Sequence, residues 1–529
     1  MFRRSGLFVA CLAVATYSQP SSAQTNILTY HNDNSRTGQN LAETILTPSN
    51  VKFSSFGKLF TVPVDGKVDA QPIYAAAVRI SGGVKTYSVV YAATENDTVY
   101  AFDATTGKIY WKVSLLGTGE TPSDDRGCSQ VTPEIGITGT PVIDLHAGLD
   151  GTIYVVAMSK DSKSNYFQRL HALDLGTGFE EFGGPVTIEA SYPGTGDNSS
   201  NGRVIFDPKQ YKSRPGLLLL NGTVYTGWGS HCDIRPYTGW LIGYDEKTLH
   251  QTTVFDFAPN GNEAGLWAAG GGLAADASGN IFVQLANGTF DTTLTKQGFP
   301  DQADYGNAFL KLILSQGQLQ AADYWTMYNT VNESDSDEDL GSGGLLLLPD
   351  VIDQHNKVRH LGTGAGKDGN VYVFDRDNMG KFDPNNNSTL YQELPNGLGG
   401  GEFASPAWFN GTVYYGAVND VIRAFKVNAA LLSTKPTSTT QNVFPYPGAT
   451  PAVSANGATN GILWAVENSN PAVLHAYDAD NLTTELYNSN QAGTRDQFGP
   501  GNKFITPTIA AGKVFVGTTN SVAVFGLLK

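Results

Sequence analysis

An all-β fold, an eight-bladed β-propeller, is what this sequence predicts, and three observations predict it. A strand–turn–strand stretch at residues 99–111 recurs in degraded copies along the chain. The composition is turn-rich and strand-rich, with 60 glycines, 4 methionines and 11% aromatic residues, and segments of helical period are hard to find. The final repeat stops after its third strand, while a spare strand at 59–64 precedes the first repeat.

Taken in order, residues 1–23 read as a secretory leader. Arg3 and Arg4 precede an apolar run at 7–15, and Ser21-Ser22-Ala23 supplies a small-x-small cleavage site. The run is too short to span a bilayer, and no other stretch qualifies, so a secreted or periplasmic chain without a transmembrane anchor is expected. Residues 24–56 form an N-terminal arm. Its polar segment Tyr30-His-Asn-Asp-Asn-Ser-Arg-Thr-Gly38 is expected to run over the surface.

Residues 57–529 are expected to form a single propeller domain. In its first unit Val99, Ala101 and Asp103 alternate with the period of a strand, and Asp103 to Gly107 holds an Asx acceptor and then a glycine for positive φ. Equivalent pairs follow at Leu173-Asp174, Tyr244-Asp245, Leu310-Lys311, Phe374-Asp375, Phe425-Lys426, Tyr477-Asp478 and Phe525-Gly526, at spacings that fall from 71 to 48 residues. A single four-stranded blade cannot bury both faces, so neighbouring blades must cover one another. Setting 59–64 on the edge of the last blade removes two exposed edges. Units two to five carry insertions, and long loops on a rigid scaffold are where function tends to sit.

The formal net charge is −15, and −17 without the leader, which argues against a nucleic-acid partner. Cys11 falls in the leader, which leaves Cys128 and Cys232 as one disulfide pair in an exported chain. There is no Cys-x-x-Cys-His for a covalent haem, no phosphate loop ending Gly-Lys-Ser/Thr and no Gly-x-Ser-x-Gly elbow. His231-Cys232-Asp233 has donors for zinc, but no second cluster completes a three- or four-ligand site and a disulfide consumes the thiol.

The pattern Ala101-x-Asp103-x-x-Thr106-Gly107-Lys108-x-x-Trp111 resembles the tryptophan-docking repeat of the pyrroloquinoline-quinone (PQQ) propellers, which include the quinoprotein alcohol dehydrogenases. The resemblance implies that Trp111 packs between blades. It also implies an oxidoreductase in which PQQ and Ca²⁺ lie over the central axis. Four segments, in the family's order, carry the implied site: Asp233 and Asn287 as metal ligands, Asp339 as the catalytic base, and Lys367 beside the quinone. Trp240 and Trp267 are the candidates for stacking on the cofactor. The family's adjacent-cysteine disulfide is absent. Each residue also suits a plainer role: Asp233 a turn cap, Asn287-Gly288 a hairpin turn with a glycosylation sequon, Asp339 the end of a solvated acidic run, and Lys367-Asp-Gly a turn. The leading expectation is a dehydrogenase acting on a small alcohol or sugar and passing electrons to an external acceptor. The alternative is a non-catalytic secreted propeller that binds a glycan or protein.

Overall fold

The repeated Asp-x-x-Thr-Gly turn behaves as its residue types require. The structure is a computed structural model that describes residues 25–529, and the leader expected at 1–23 lies outside the described residues. Asp103 Oδ1 accepts from the amides of Thr105 and Thr106 at 2.9 and 2.8 Å and from Thr106 Oγ1 at 3.0 Å. Gly107, at φ +71°, then donates to Asp103 O at 2.9 Å and closes the turn. Asp174 and Asp245 build the same turn with Thr177 and Thr248.

Each turn ends the third strand of an antiparallel meander. The first sheet runs Ile73–Arg79, Thr86–Ala93, Thr98–Asp103 and Ile109–Ser114, each strand paired with the next. Among the described residues there are eight sheets of four to six strands, and the eight aligned pairs each fall in the third strand of one of them. Apolar clusters fill the spaces between consecutive sheets. Tyr91 and Ile153 share one cluster, Tyr154 and Trp240 the next, and Phe282 and Phe374 another. A further cluster joins Tyr74, Val90 and Phe102 of the first sheet to Phe515 and Val524 of the last. The strand Phe56–Pro63 pairs antiparallel with Ser521–Leu527 at the edge of that last sheet.

Trp111 sits at one of these inter-sheet joints. Its Nε1 donates to Leu175 O at 3.0 Å, and a Cβ on Gly178 would stand only 2.7 Å from its ring. The indole therefore lies on the glycine of the next sheet's turn, part-buried rather than fully enclosed. Phe60, on the strand Phe56–Pro63, rests in the same way on Gly107, where a Cβ would meet its ring at 2.8 Å. One docking geometry thus joins the first sheet to the second and the last sheet to the first.

The stretch 27–40 of the N-terminal arm is not on the surface. Tyr30, His31, Arg36 and Thr37 are buried, and the segment touches the innermost strand of every one of the eight sheets in chain order. Ile27 pairs with Tyr74, and Leu28 O accepts from Ile143. Asn34 Nδ2 donates to Leu219 O, while Asn34 O, Ser35 O, Thr37 O and Gly38 O accept from Ala275, Leu347, Trp408 and Val453. Asn40 Nδ2 then donates to Ile509 O. Arg36 is held entirely by neutral oxygens, donating to the carbonyls of Leu273 and Tyr30 at 2.8 Å each and to Thr29 Oγ1 at 2.7 Å. The polar composition suggested solvent, but these groups are matched to the unpaired edges of the innermost strands.

Trp111→Ala is expected to lower stability by about 2–4 kcal/mol, less than for a fully enclosed tryptophan. Gly178→Ala is expected to cost less in the Trp111→Ala background than alone, because the ring it would strike is gone. A double-mutant cycle in urea checks both expectations.

His475 supplies a pH-dependent contribution. Its Nδ1 lies 2.7 Å from Glu485 Oε1 and its Nε2 3.5 Å from Glu467 Oε2. Burial pulls the imidazolium down, but the two carboxylates outweigh it and hold His475 above its ordinary 6.5. A raised folded value stabilises fully below the unfolded value and is lost as pH rises through the folded one. His475→Gln is therefore expected to destabilise most below pH 6.5, with the difference shrinking towards alkaline pH in urea titrations.

Candidate functional site

The walls of one cavity come from one end of the sheets. There the chain enters each innermost strand and leaves each second strand, and the insertions of the middle units gather. Lys212 and Arg214 precede the innermost strand of the third sheet, and Cys232 and Asp233 follow its strand Thr223–Gly229. Trp267 precedes the turn Ala268–Gly270 that leads into the fourth sheet, and Ala269 lies within it. Asp337, Asp339 and Ser342 lie between the strands Gln318–Thr326 and Leu346–Leu347, and Lys367 lies between Leu361–Ala365 and Val371–Asp375. Together with Phe403, Tyr446 and Phe504 they enclose about 230 Å³.

Asp233, Trp267, Asp339 and Lys367, four of the six residues singled out from sequence, thus line one cavity. Lys367 Nζ donates to Asp337 Oδ1 at 2.6 Å and stands 2.6 Å from Asp339 Oδ1. The Asp339 contact is a close ion pair. Burial raises Asp339 to about 6 even with the ammonium beside it. Burial also pulls Lys367 down, but Asp339 and Asp337 together outweigh it and hold the amine above the usual lysine range. Asp233 is raised by burial and accepts a hydrogen bond from the enclosed phenol of Tyr237.

Asn287 stands one layer behind the cavity wall. Its Nδ2 donates to Asp337 Oδ1 at 2.9 Å, and its Oδ1 is buried with no partner. At 5% exposure it is no glycan acceptor in the folded chain, and the next strand begins only at Ala308, so it is not a hairpin tip. Trp240 has a different setting. It is fully buried against Phe206 and Tyr211 in the core between the second and third sheets, and it does not line the cavity. Strand pairing places it directly opposite Trp228, which makes it a packing residue of the scaffold.

Asp339 is likewise not the end of a solvated run. The helix Thr330–Asp335 and the turn Leu340–Ser342 bury Glu333 and Asp339, and only 335–338 between them is exposed. Cys128 and Cys232 form a disulfide, and Cys232 contributes to the cavity wall.

Five residues of the wall, Cys232, Asp233, Ala269, Asp337 and Phe504, have left-handed backbones with φ from +49° to +63°. Such conformations in residues with a Cβ persist where the surroundings dictate them, and they gather at functional sites.

Among the described residues, no three His, Cys, Asp or Glu side chains converge as a metal cluster. The donors that fit a hard cation are oxygens of mixed type. Asn287 Oδ1 is buried without a hydrogen-bond partner, and Asp233 and Asp339 line the cavity in front of it.

Lys212, Arg214, Gln130, Phe403, Tyr446 and Phe504 were not among the residues chosen from sequence. The run Tyr211-Lys-Ser-Arg-Pro215 was the one visible signal for the first two, and it sits in a stretch of the third unit that no motif covers.

No protein-family model and no curated protein matches the sequence. Solved structures do match. The quinohemoprotein alcohol dehydrogenase from Comamonas testosteroni aligns at TM-score 0.63 and 15% identity over 96% of this chain and 81% of that one. Quinohemoprotein alcohol dehydrogenase ADHIIG from Pseudomonas putida HK5 aligns at 0.59 and 14%, over 95% and 80%. A europium-containing methanol dehydrogenase aligns at 0.60 and 13%, over 95% and 98%. At these identities the likeness is one of fold: the chain is a mostly-β protein built on the fold of the quinoprotein alcohol and methanol dehydrogenases.

Proposed function

We propose that this chain is an exported quinoprotein-type oxidoreductase that oxidises the CH–OH group of a small alcohol or sugar. The observation that carries the reading is the meeting of Asp339, Lys367, Asp233 and Trp267, from three different sheets, in one cavity. In this reading the eight sheets are eight blades closed by the strand Phe56–Pro63, with residues 27–40 of the arm inside the ring. The docking of Phe60 on Gly107, which repeats that of Trp111 on Gly178, supports the closure. Residues 1–23 direct export, and electrons pass to an external acceptor because no haem-attachment motif is present.

The cavity would take PQQ, with Trp267 as its stacking face. Trp267 rests on Gly229 and Gly265, where a Cβ would come within 3.2 and 3.1 Å of the indole, so the ring is fixed from behind. Ca²⁺ would be held by Asp233 and Asn287, with Asp339 beside them. When bound, the cofactor supplies the two-electron acceptor chemistry that no side chain has.

The chain's own residues do the rest. Above its folded value of about 6, Asp339 is ionised and its carboxylate accepts the substrate hydroxyl proton. Lys367 remains an ammonium, orients Asp339, and offers positive charge where the cofactor's oxygen would gain electron density. Asn287 fixes Asp337, which in turn holds Lys367.

Three outcomes test the reading. PQQ with Ca²⁺ is expected to bind the purified mature protein with micromolar affinity or better, followed by quinone absorbance, and to support dye reduction by alcohols or sugars. Absence of binding sinks the proposal and leaves a non-catalytic propeller. Asp339→Asn is expected to lower kcat by about 10²–10⁴-fold with cofactor absorbance retained. Because the base is active when deprotonated, kcat/KM is expected to rise with pH through about 6 in the parent protein. A flat profile there would remove Asp339 from the role.

A further inference from the structure

The charges on the cavity wall fall into two groups, and only one of them is internally paired. Asp339 responds chiefly to Lys367, Asp233 and Asp337, and the ammonium of Lys367 touches two of those carboxylates. Lys212 and Arg214 belong to a second group, with Asp69 and Glu95 as the carboxylates that attract them. Neither cation forms a salt bridge or a side-chain hydrogen bond among the described residues, although both are buried, at 1% and 4% exposure.

The nearby acids do not pair with them. Glu95 Oε2 accepts from Gly136 N at 2.8 Å and Thr138 Oγ1 at 3.0 Å, and burial followed by repulsion from Asp69 keeps Glu95 well above the usual carboxylate range. Asp69 Oδ1 accepts from Asn502 Nδ2 at 2.5 Å. Arg214 is held in place by packing instead. Its guanidinium lies 4.4 Å from the ring centroid of Phe504, and Gly270 leaves it room, since a Cβ there would come within 3.1 Å of Nη1. Its Nη2 is buried with no partner.

An unpaired buried charge is costly, and two side by side cost more. Burial and the neighbouring Arg214 pull Lys212 down to about 7, the direction expected of a cation lacking an anion. Both side chains line the 230 Å³ cavity rather than a sealed void, with the amide-bearing Gln130 also in the wall.

We propose that Lys212 and Arg214 form a carboxylate subsite, so that the molecule occupying the cavity places an anionic carboxylate between them and its reacting end at Asp339 and Lys367. The pairing geometry follows from the donors: a planar guanidinium fork on one oxygen edge and a point charge on the other. The proposal deepens the cofactor reading and rests on it only for the ligand's identity. The carboxylate could belong to PQQ, which carries three, or to an acidic substrate, and the arms below separate the two.

The test uses the mature protein and measures binding by calorimetry for PQQ, its trimethyl ester, and pyridine-2,4-dicarboxylate. PQQ is expected to bind at least tenfold tighter than the ester, and the dicarboxylate to bind alone and to compete with PQQ. Lys212→Met and Arg214→Met are each expected to weaken both acids at least tenfold and to leave the ester unchanged. Lys212→Arg, which keeps the charge and guards against loss of fold, is expected to retain most of the affinity, and Arg214→Lys, which keeps the charge but loses the fork, to fall between the parent and Arg214→Met.

If the dicarboxylate binds through these residues and PQQ does not, the subsite stands and the cofactor reading falls. If PQQ binds no better than its ester and is indifferent to both methionine variants, the subsite is overturned while the cofactor reading survives. If neither acid binds, both are overturned.

Discussion

Sheets arranged side by side around an axis leave one problem that side-chain packing cannot solve: each innermost strand presents an unpaired backbone edge towards the centre. Buried amides and carbonyls without partners cost about 1–3 kcal/mol each. Here the arm answers most of that demand. Between Ile27 and Asn40 it offers backbone oxygens and short polar side chains to all eight innermost strands, and Arg36 caps carbonyls from Tyr30 and Leu273 at once. Thr29, Asn34 and Asn40 point at carbonyls. The polarity of the segment is therefore a property of a backbone-lined interior, and its tight path requires the left-handed residues His31, Asn32 and Arg36.

The arm also shapes the cavity above it. Tyr30 is fully buried and feels the hydroxyls of Ser405 and Thr506 together with the charge of Arg214, so the arm reaches the underside of the cavity floor. With the axis filled from below, the remaining space lies at the end where the middle units carry their insertions. Those insertions supply Asp233, Asp337 and Asp339. The shorter later units contribute mainly aromatic walls: Phe403, Tyr446 and Phe504. A scaffold of near-equivalent sheets thereby acquires a site with distinct sides.

How much of this was legible in the sequence follows from which residues obey a period. The strands and their turns do, because Asp103, Asp174 and Asp245 each bind the two amides that follow and fix the register of the repeat. The pairing of Phe56–Pro63 with the last sheet was legible from the missing fourth strand of the last unit. Asp339 and Lys367 were reachable through a resemblance in chain order, and their distance of 2.6 Å was not, since it joins two loops of separate length. Trp240 was drawn into the site by proximity in sequence to Asp233. In the sheet, however, residues of the strand Trp240–Asp245 face the core between neighbouring sheets, while the loop before it turns to the cavity. Lys212 and Arg214 could not be found by pattern, because their significance is the absence of a partner, which only three dimensions show.

The same reasoning bears on why the site does not relax. Left-handed backbone costs about 1–2 kcal/mol for a residue with a Cβ, and five such residues line the cavity. Nothing in the loops' own sequence offsets this. What holds them is attachment to rigid neighbours: the Cys128–Cys232 disulfide on one wall, and on the other the bond from Asn287 to Asp337, whose carboxylate also receives Lys367. Asp339 illustrates the balance. An ammonium 2.6 Å away would by itself draw a carboxyl well below 4, yet burial in the wall leaves Asp339 at about 6. The loops could lower that energy by opening to water, and the cross-links prevent it. A carboxyl so held is poised between its two protonation states near neutral pH, as the role proposed for Asp339 requires.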